Sequence, residues 1–172
     1  MKPLIRPVSL NDAAQLTNIY NYYVANSVIS FEEAEISQDD MKSRIQDTDK
    51  NTGIWLVLEA GSFIQGYAYC MPWKSRSAYR FSHEVTIYLA PEAQGKGVGT
   101  RLYQALLDAV SRRPIKNLLA IIALPNEASV ALHEKIGMKK VAHFENVGYK
   151  FGNWVDVGYW QMSLPNDPLL KE

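Results

Sequence analysis

The segment 85–101, VTIYLAPEAQGKGVGTR, constrains the fold of this chain more than any other stretch. Its first five residues alternate between apolar and polar side chains, which predicts a strand that ends before Pro91. Gly95, Gly97 and Gly99 then open an amphipathic helix, and glycines at such a place let backbone N–H groups approach a ligand closely. Because the positive end of a helix dipole favours an anion, the segment predicts a phosphate-bearing cofactor.

Two familiar phosphate-binding loops do not describe this turn. Lys96 is followed by Gly97 rather than by Ser or Thr, which excludes the GxxxxGK[ST] loop. The spacing of the glycines also differs from GxGxxG, the dinucleotide-binding pattern. On spacing alone, the alternative is an ordinary helix N-terminus with a flexible lead-in.

Composition limits the class of protein. The 172 residues are 47% hydrophobic and 21% charged, as in an ordinary globular protein, and predict one domain over 1–172. Formal net charge is zero, so we expect no nucleic acid and no membrane surface as partner. Cys70 is the only cysteine, which leaves no intramolecular disulfide or cysteine-rich metal site, and we expect no metal. Without a long apolar run at the N-terminus, a cytoplasmic enzyme is the expectation.

Hydrophobic periodicity predicts one mixed α/β sheet. The elements alternate along the whole chain, and the C-terminal PNDPLLKE is expected to be a mobile end. Strands are predicted at 4–8, 54–59, 63–71, 85–89, 118–124, 139–147 and 155–164, and helices at 10–25, 39–47, from about 98, and 126–136.

A second motif lies on the last predicted helix. Asn126, Ser129 and His133 stand at i, i+3 and i+7, so that they share one helical face. With this motif, QGKGVG at 94–99 resembles the [QR]xxGx[GA] pyrophosphate loop of the GNAT acetyltransferase superfamily, and NEASVALHEKIGM resembles the second GNAT signature. His133 occupies a position where that signature commonly has Tyr. The resemblance implies the GNAT fold, a mixed and mostly antiparallel sheet flanked by helices, with acetyl-CoA as cosubstrate.

Within the superfamily, three blocks that span most of the chain narrow the resemblance. IRPVSLNDAAQLTNIYNYYVANSVISFE, GYAYCMPWKSRSAYRF and VGYKFGNWVDVGYWQ are similar to the phosphinothricin and methionine sulfoximine N-acetyltransferases. That subfamily usually has His at the position of His133. The resemblance implies detoxifying acetylation of the α-amine of small amino-acid analogues, and commonly a homodimer.

The resemblance also implies a set of cofactor-binding residues. They come from the central strand, the glycine turn and the last helix. The set is Ile87, Leu89, Gln94, Gly95, Lys96, Gly97, Val98, Gly99, Thr100, Asn126 and Ser129.

Transfer of an acetyl group to an amine needs a general base, a donor for the oxyanion and a proton or positive charge for the leaving thiolate. Glu84, at the start of the central strand, is the candidate base, and an exposed strand-end carboxylate is the alternative. A backbone N–H near Leu89 is the candidate oxyanion donor. His133 is the candidate acid or proton relay, and a hydrogen-bonded interior histidine is the alternative. His83 should point to the opposite face of the strand. Rival acids are Tyr88, Tyr149 and Tyr159.

An amino-acid-like acceptor carries a carboxylate, which the planar fork of an arginine can bind with two hydrogen bonds. Arg76 and Arg80 are the candidates, ahead of Lys74, although a basic loop is often simply solvated. Phe31, Trp73 and Tyr79 are candidates for the pocket wall, and Phe31 could equally be a plug over the core. Acetylation of a polyamine or a peptide N-terminus, and a non-catalytic acyl-CoA sensor, are the alternative functions.

Overall fold

Seven strands form one sheet in the order β1-β2-β3-β4-β5-β7-β6. The computed structural model describes residues 3–50 and 53–165, so the expectation of a mobile C-terminal end lies outside the described residues. The strands are Leu4–Pro7 (β1), Ile54–Ala60 (β2), Phe63–Pro72 (β3), Ser82–Leu89 (β4), Asn117–Leu124 (β5), Lys139–Lys150 (β6) and Asn153–Ser163 (β7). The helices are Ala13–Asn26 (α1), Gln38–Lys50 (α2), Val98–Val110 (α3) and Glu127–Lys135 (α4).

Only the pair β4–β5 is parallel among the described strand pairs, and the other five are antiparallel. The predicted mixed, mostly antiparallel sheet is therefore confirmed. The ladder between β4 and β5 holds three residue pairs and stops at Glu84 and Leu119. Beyond that pair the two strands separate, and a groove opens in the middle of the sheet.

The helices cover opposite faces of the sheet. On one face, Tyr20 of α1 packs edge-on against Tyr88 of β4, with ring centroids 5.1 Å apart. On the other face, Gly99 of α3 lies close to Ile87 and Leu89, since a Cβ placed on it would be 3.7 Å and 3.5 Å from their Cδ1 atoms. Since side chains alternate along a strand, β4 presents its even-numbered residues to α1 and its odd-numbered residues to α3. Both sides of the groove can therefore be reached from this one strand.

The predicted elements agree with the observed ones apart from their ends. The first helix begins as a 3-10 turn over Leu10–Asp12, where the Ser9 N–H donates to Asp12 Oδ2 at 2.7 Å and Arg6 binds the same carboxylate. Helix α2 extends to Lys50, beyond its predicted end. Cys70 is buried in β3, and burial raises the pKa of its thiol to about 12.

Strand β6 is longer than predicted because it continues past an irregularity. Asn146 adopts a positive φ of 55°, and the register against β7 shifts between Phe144 and Gly148. The strand then resumes as far as Lys150. A local bulge of this kind interrupts the apolar–polar alternation that a sequence pattern relies on.

Candidate active site

The groove between β4 and β5 gathers residues from four parts of the chain. One wall is the stretch of β4 from Val85 to Tyr88, and the other is the stretch of β5 from Ile121 to Ala123. Ile29 and helix α4 complete the lining. Backbone groups on the open edge of β4 face the groove, because β5 no longer pairs with them. Such an edge offers hydrogen bonds to an extended ligand and to a developing oxyanion.

The glycine turn lies at the end of β4. Gly95 and Gly97 have φ values of 70° and 75°, in the left-handed region that glycine adopts without strain. Gly97 is the N-cap residue of α3, so the free N–H groups of the first helical turn follow it directly. A Cβ on Gly99 would lie 3.0 Å from Leu132 Cδ2, so a larger residue would push against α4. The turn fits a phosphate group on these grounds.

Gln94 is held by a contact that the sequence did not predict. Its Nε2 donates to the hydroxyl of Tyr23 at 2.9 Å, and that hydroxyl donates to the carbonyl of Leu89 at 2.5 Å. Burial raises the pKa of Tyr23, which keeps the hydroxyl protonated and able to donate. Helix α1 thus joins the end of β4 to the first residue of the glycine turn.

Helix α4 brings its predicted residues to the groove. Asn126 caps the helix by accepting a hydrogen bond from the Ser129 N–H at 3.1 Å. Asn126, Ser129 and His133 all line the groove, as their shared helical face predicted. The cap orients the first turn of α4 toward the open edge of β4.

The imidazole of His133 is 3% exposed, and both ring nitrogens have partners inside the protein. Its Nδ1 lies 2.7 Å from the carbonyl oxygen of Ser129, so Nδ1 carries the proton and donates. Nε2, 2.6 Å from the hydroxyl of Tyr103, is then the acceptor in the neutral ring. Burial lowers the pKa of His133, although the Ser129 carbonyl partly opposes this, and the neutral form is favoured.

Glu84 lies at the closed end of the groove, in the last residue pair before the strands separate. Burial raises the pKa of its carboxyl group, and the positive charge of Lys74 partly opposes that shift. His83 is buried on the opposite face of β4, as its position in the strand predicted, and burial lowers its pKa. A carboxylate with a raised pKa is a stronger base than an exposed one.

The loop between β3 and β4 carries the predicted anion-binding residues and begins beside Glu84, since Met71 pairs with Glu84 in register. Arg76 and Arg80 flank a 3-10 turn and are exposed; the Arg80 guanidinium donates to the Ser77 carbonyl. Trp73 and Tyr79 pack edge-on with centroids 5.3 Å apart. Lys74, ranked behind the arginines, is the cation of this loop whose charge acts on Glu84.

Phe31 lies over β6, where Gly148 leaves room for its ring. The next residue, Glu32, forms an ion pair with Arg44 of α2, whose guanidinium lies 5.1 Å from the ring centroid of Tyr20. A cavity of about 220 Å³ opens beside Arg44, on the sheet face that also carries Glu84. Its remaining walls include Tyr20, Trp55, Tyr67, Tyr69 and Met71.

Comparison with known proteins decides the family. A family model described as an acetyltransferase (GNAT) domain matches residues 5–158. The chain belongs to the GNAT acetyltransferases. The predicted family, enzyme class and acetyl-CoA cosubstrate are thereby confirmed.

Three relatives show which acetyltransferases this GNAT chain is similar to. A phosphinothricin N-acetyltransferase of Streptomyces viridochromogenes is 38% identical over 95% of this chain and 90% of its own length. An L-methionine sulfoximine/L-methionine sulfone acetyltransferase of Salmonella typhimurium is 31% identical over 93% and 94%. The crystal structure of a phosphinothricin acetyltransferase from Sinorhizobium meliloti in complex with AcCoA has a TM-score of 0.91 at 32% identity, and covers 95% and 89%.

The geometry of this GNAT site differs in part from the sequence-based prediction. The predicted cofactor residues lie around the groove and the glycine turn, while Tyr23 and Arg44 were not predicted to lie beside it, and Lys74 was predicted only as a candidate behind the arginines. Of the three rival tyrosines, only Tyr88 lies in the groove lining among the described residues. Those described residues include no helix long and apolar enough to cross a membrane, and no metal-binding group of three or more His, Cys, Asp or Glu side chains.

Proposed function

We propose that this GNAT chain is a single-domain N-acetyltransferase of small amino-acid analogues such as L-methionine sulfoximine, methionine sulfone or L-phosphinothricin. The supporting observation is the position of Glu84, a carboxylate of raised pKa where the sheet opens, beside a loop that carries three cations. Acetyl-CoA supplies the acetyl group as a thioester. Its phosphates would bind the turn from Gln94 to Thr100, and its pantetheine chain would lie along Ile87 and Leu89, near Asn126 and Ser129.

Glu84 is the general base of this proposal. An amino acid carries its α-amine mostly as an ammonium ion at pH 7, so one proton must leave before the nitrogen can attack. The Glu84 carboxylate accepts that proton, directly or through one water molecule. The amine nitrogen then forms a bond to the acetyl carbonyl carbon, the carbon–sulfur bond breaks, and the thiolate takes up a proton. A backbone N–H near Leu89 would stabilise the oxyanion.

His133 is the proposed source of the proton for the thiolate, but its Nδ1 proton is bonded to the Ser129 carbonyl. A proton could therefore reach the groove only through a rearrangement of that bond or through the Tyr103 hydroxyl on Nε2. The geometry also favours a structural contribution of His133 to the groove. His133 lies in the groove lining, where it fixes the turn of α4 that carries Ser129.

The acceptor carboxylate is proposed to bind the 73–80 loop. Arg76 and Arg80 remain the candidates for a bidentate contact, and Lys74 supplies charge near Glu84. Trp73, Tyr79 and Phe31 are the proposed apolar walls. A polyamine acceptor would favour an acidic surface, and the cations of this loop oppose that choice.

We propose a homodimer that forms through the β6–β7 hairpin. The hairpin exposes a patch made of Val147, Tyr149, Phe151 and Trp154, and Trp154 is 64% exposed. Apolar patches of this kind mark interfaces. Trp154→Asp should yield a monomer in light scattering after size exclusion, whereas the matched control Phe63→Asp, at a residue 68% exposed on β3, should not.

The proposed setting is the cytoplasm, where acetyl-CoA is available, and the proposed role is detoxification of glutamate-like inhibitors. Acetyl-CoA-dependent thiol release tests the reaction against methionine sulfoximine, methionine sulfone, phosphinothricin, spermidine and a peptide that starts with Met. We expect turnover of the first three alone. Turnover restricted to spermidine or the peptide would refute the acceptor class and leave the family assignment intact. Acetyl-CoA binding without turnover of any acceptor would instead indicate an acyl-CoA sensor.

A further inference from the structure

Lys150, the last residue of β6, is a charged side chain in the interior of the protein. It is 2% exposed, and no carboxylate lies within ion-pair distance of it among the described residues. Its Nζ donates instead to two backbone carbonyls, those of Val24 and Ser30, each at 2.7 Å. Burial of an ammonium costs free energy unless the group is fully hydrogen-bonded, so an interior lysine at this position indicates a specific role.

The two carbonyls mark the beginning of one segment, residues 27–37, which joins α1 to α2. Val24 lies in the last turn of α1, where helix carbonyls have no partner within the helix. Ser30 lies inside the segment, and its hydroxyl is 2.9 Å from the hydroxyl of Tyr20. One side chain from the edge of the sheet therefore fixes the exit of the helix and the path of the segment together.

The 27–37 segment reaches the groove and the acceptor side of the sheet. Ile29 lines the groove between β4 and β5. Phe31, two residues further, lies against Gly148 of β6, and Glu32 pairs with Arg44 beside the tyrosine-walled cavity. A shift of this segment by about 1 Å would move all three at once.

We propose that Lys150 is a positioning residue for acetyl transfer: its ammonium holds the 27–37 segment in place as a wall of the acceptor site. This inference rests on the function proposed above. Burial lowers the pKa of Lys150, while Glu32 and Glu33 on the same segment favour its charged form. The charge thus interacts with the segment that it holds.

A purely structural role for Lys150 would affect stability and the binding of both substrates alike. A positioning role affects the acceptor more than acetyl-CoA, because among the described residues the Lys150 ammonium hydrogen-bonds to Val24 and Ser30 and not to the glycine turn or α4. We therefore expect Lys150→Met to raise the KM for the amino-acid acceptor about tenfold or more, since small misplacements cost that much. The Kd for acetyl-CoA, measured by calorimetry, should stay within about twofold. Lys139→Met, on the same strand and exposed, is the matched control and should match the wild type.

A second variant acts on the segment without removing the ammonium. A Cβ on Gly148 would lie 2.3 Å from Phe31 Cζ, so Gly148→Ala displaces that ring and should also raise the acceptor KM. Amide hydrogen exchange over 27–37 should rise in Lys150→Met whether or not the enzyme turns over.

A folded Lys150→Met protein with wild-type acceptor KM would overturn the proposal. If that protein does not fold, Gly148→Ala decides, and an unchanged acceptor KM there refutes the proposed wall. Absence of turnover in the wild type would refute the proposed function instead. In that case, unchanged amide hydrogen exchange over 27–37 in Lys150→Met would separately refute the claim that the ammonium holds this segment.

Discussion

Replacement of Glu84 by Gln should abolish most turnover without loss of acetyl-CoA binding. The substitution keeps the size of the side chain and removes the carboxylate that is proposed to accept the amine proton. General-base catalysis contributes about 10²–10⁴-fold, which is about 3–5 kcal/mol of transition-state stabilisation at about 1.4 kcal/mol per factor of ten. Thiol release under saturating acetyl-CoA measures the loss. Asp49→Asn, which removes one exposed carboxylate on α2, is the control and should leave kcat unchanged.

The assignment of Glu84 as the base also predicts how kcat/KM depends on pH. Burial raises the pKa of Glu84, and Lys74 opposes this only in part. Below that raised pKa, Glu84 must lose its own proton before it can accept one from the acceptor ammonium, so log kcat/KM should rise with slope one. Above it the profile should be level until the amine itself titrates. Glu84→Gln should instead rise with slope one until the amine titrates, because without the base the variant must bind an amine that is already neutral.

Ionisation of Glu84 should raise the rate but lower the free energy of unfolding. A carboxyl whose pKa is raised by folding destabilises the fold when it is ionised, and this cost appears as pH rises through the folded pKa. Glu84→Gln should therefore be as stable as the wild type below the ordinary carboxyl range, and as stable or more stable at pH 7. Unchanged kcat in Glu84→Gln, or loss of kcat together with acetyl-CoA binding, would refute the assignment of Glu84 as base.

Three further predictions concern other parts of the chain. Gly97→Ala and Gly61→Ala both force a non-glycine residue into a positive φ and should each cost about 1–2 kcal/mol in the free energy of unfolding, but only the former should weaken acetyl-CoA binding in calorimetry. Tyr23→Phe should raise the KM for acetyl-CoA, because the end of β4 loses its hydroxyl donor, whereas the exposed neighbour variant Tyr22→Phe should not. Burial opposes ionisation of Asp12, yet hydrogen bonds from its arginine and serine partners outweigh it and hold its pKa below the ordinary value; chemical denaturation at a series of pH values should show this stability lost as pH falls through that lowered pKa, and a loss on rising pH would contradict it.

Much of the fold follows from local pattern. The buried run of β5 and the glycine turn were recognisable because each depends on residues adjacent in sequence. The shared face of Asn126, Ser129 and His133 follows from helix geometry alone. These features place the glycine turn after the central strand, and the three α4 residues on one helical face, before any tertiary contact is known.

Other features depend on contacts between distant residues, which no local pattern contains. Tyr23 and Gln94 are 71 positions apart, and Lys150 and Val24 are 126 positions apart. One partner of His133 belongs to the same class, since Tyr103 approaches it from a different helix. The sequence identifies His133 as a candidate but cannot show that both of its ring nitrogens are hydrogen-bonded inside the protein.

The early end of the β4–β5 ladder explains why one strand can serve two substrates. In a continuous sheet, a ligand on the α3 side could not meet a ligand on the α1 side. Here the strands separate after Glu84, so the odd-numbered face of β4 can hold the thioester arm while the even-numbered face carries Glu84 toward the acceptor. Under the proposed function, the gap is the place where an amine nitrogen would reach the acetyl carbon. A base at the closed end of that gap would act on the amine just before the bond forms, and we therefore expect the rate to depend more on Glu84 than on the deeper His133.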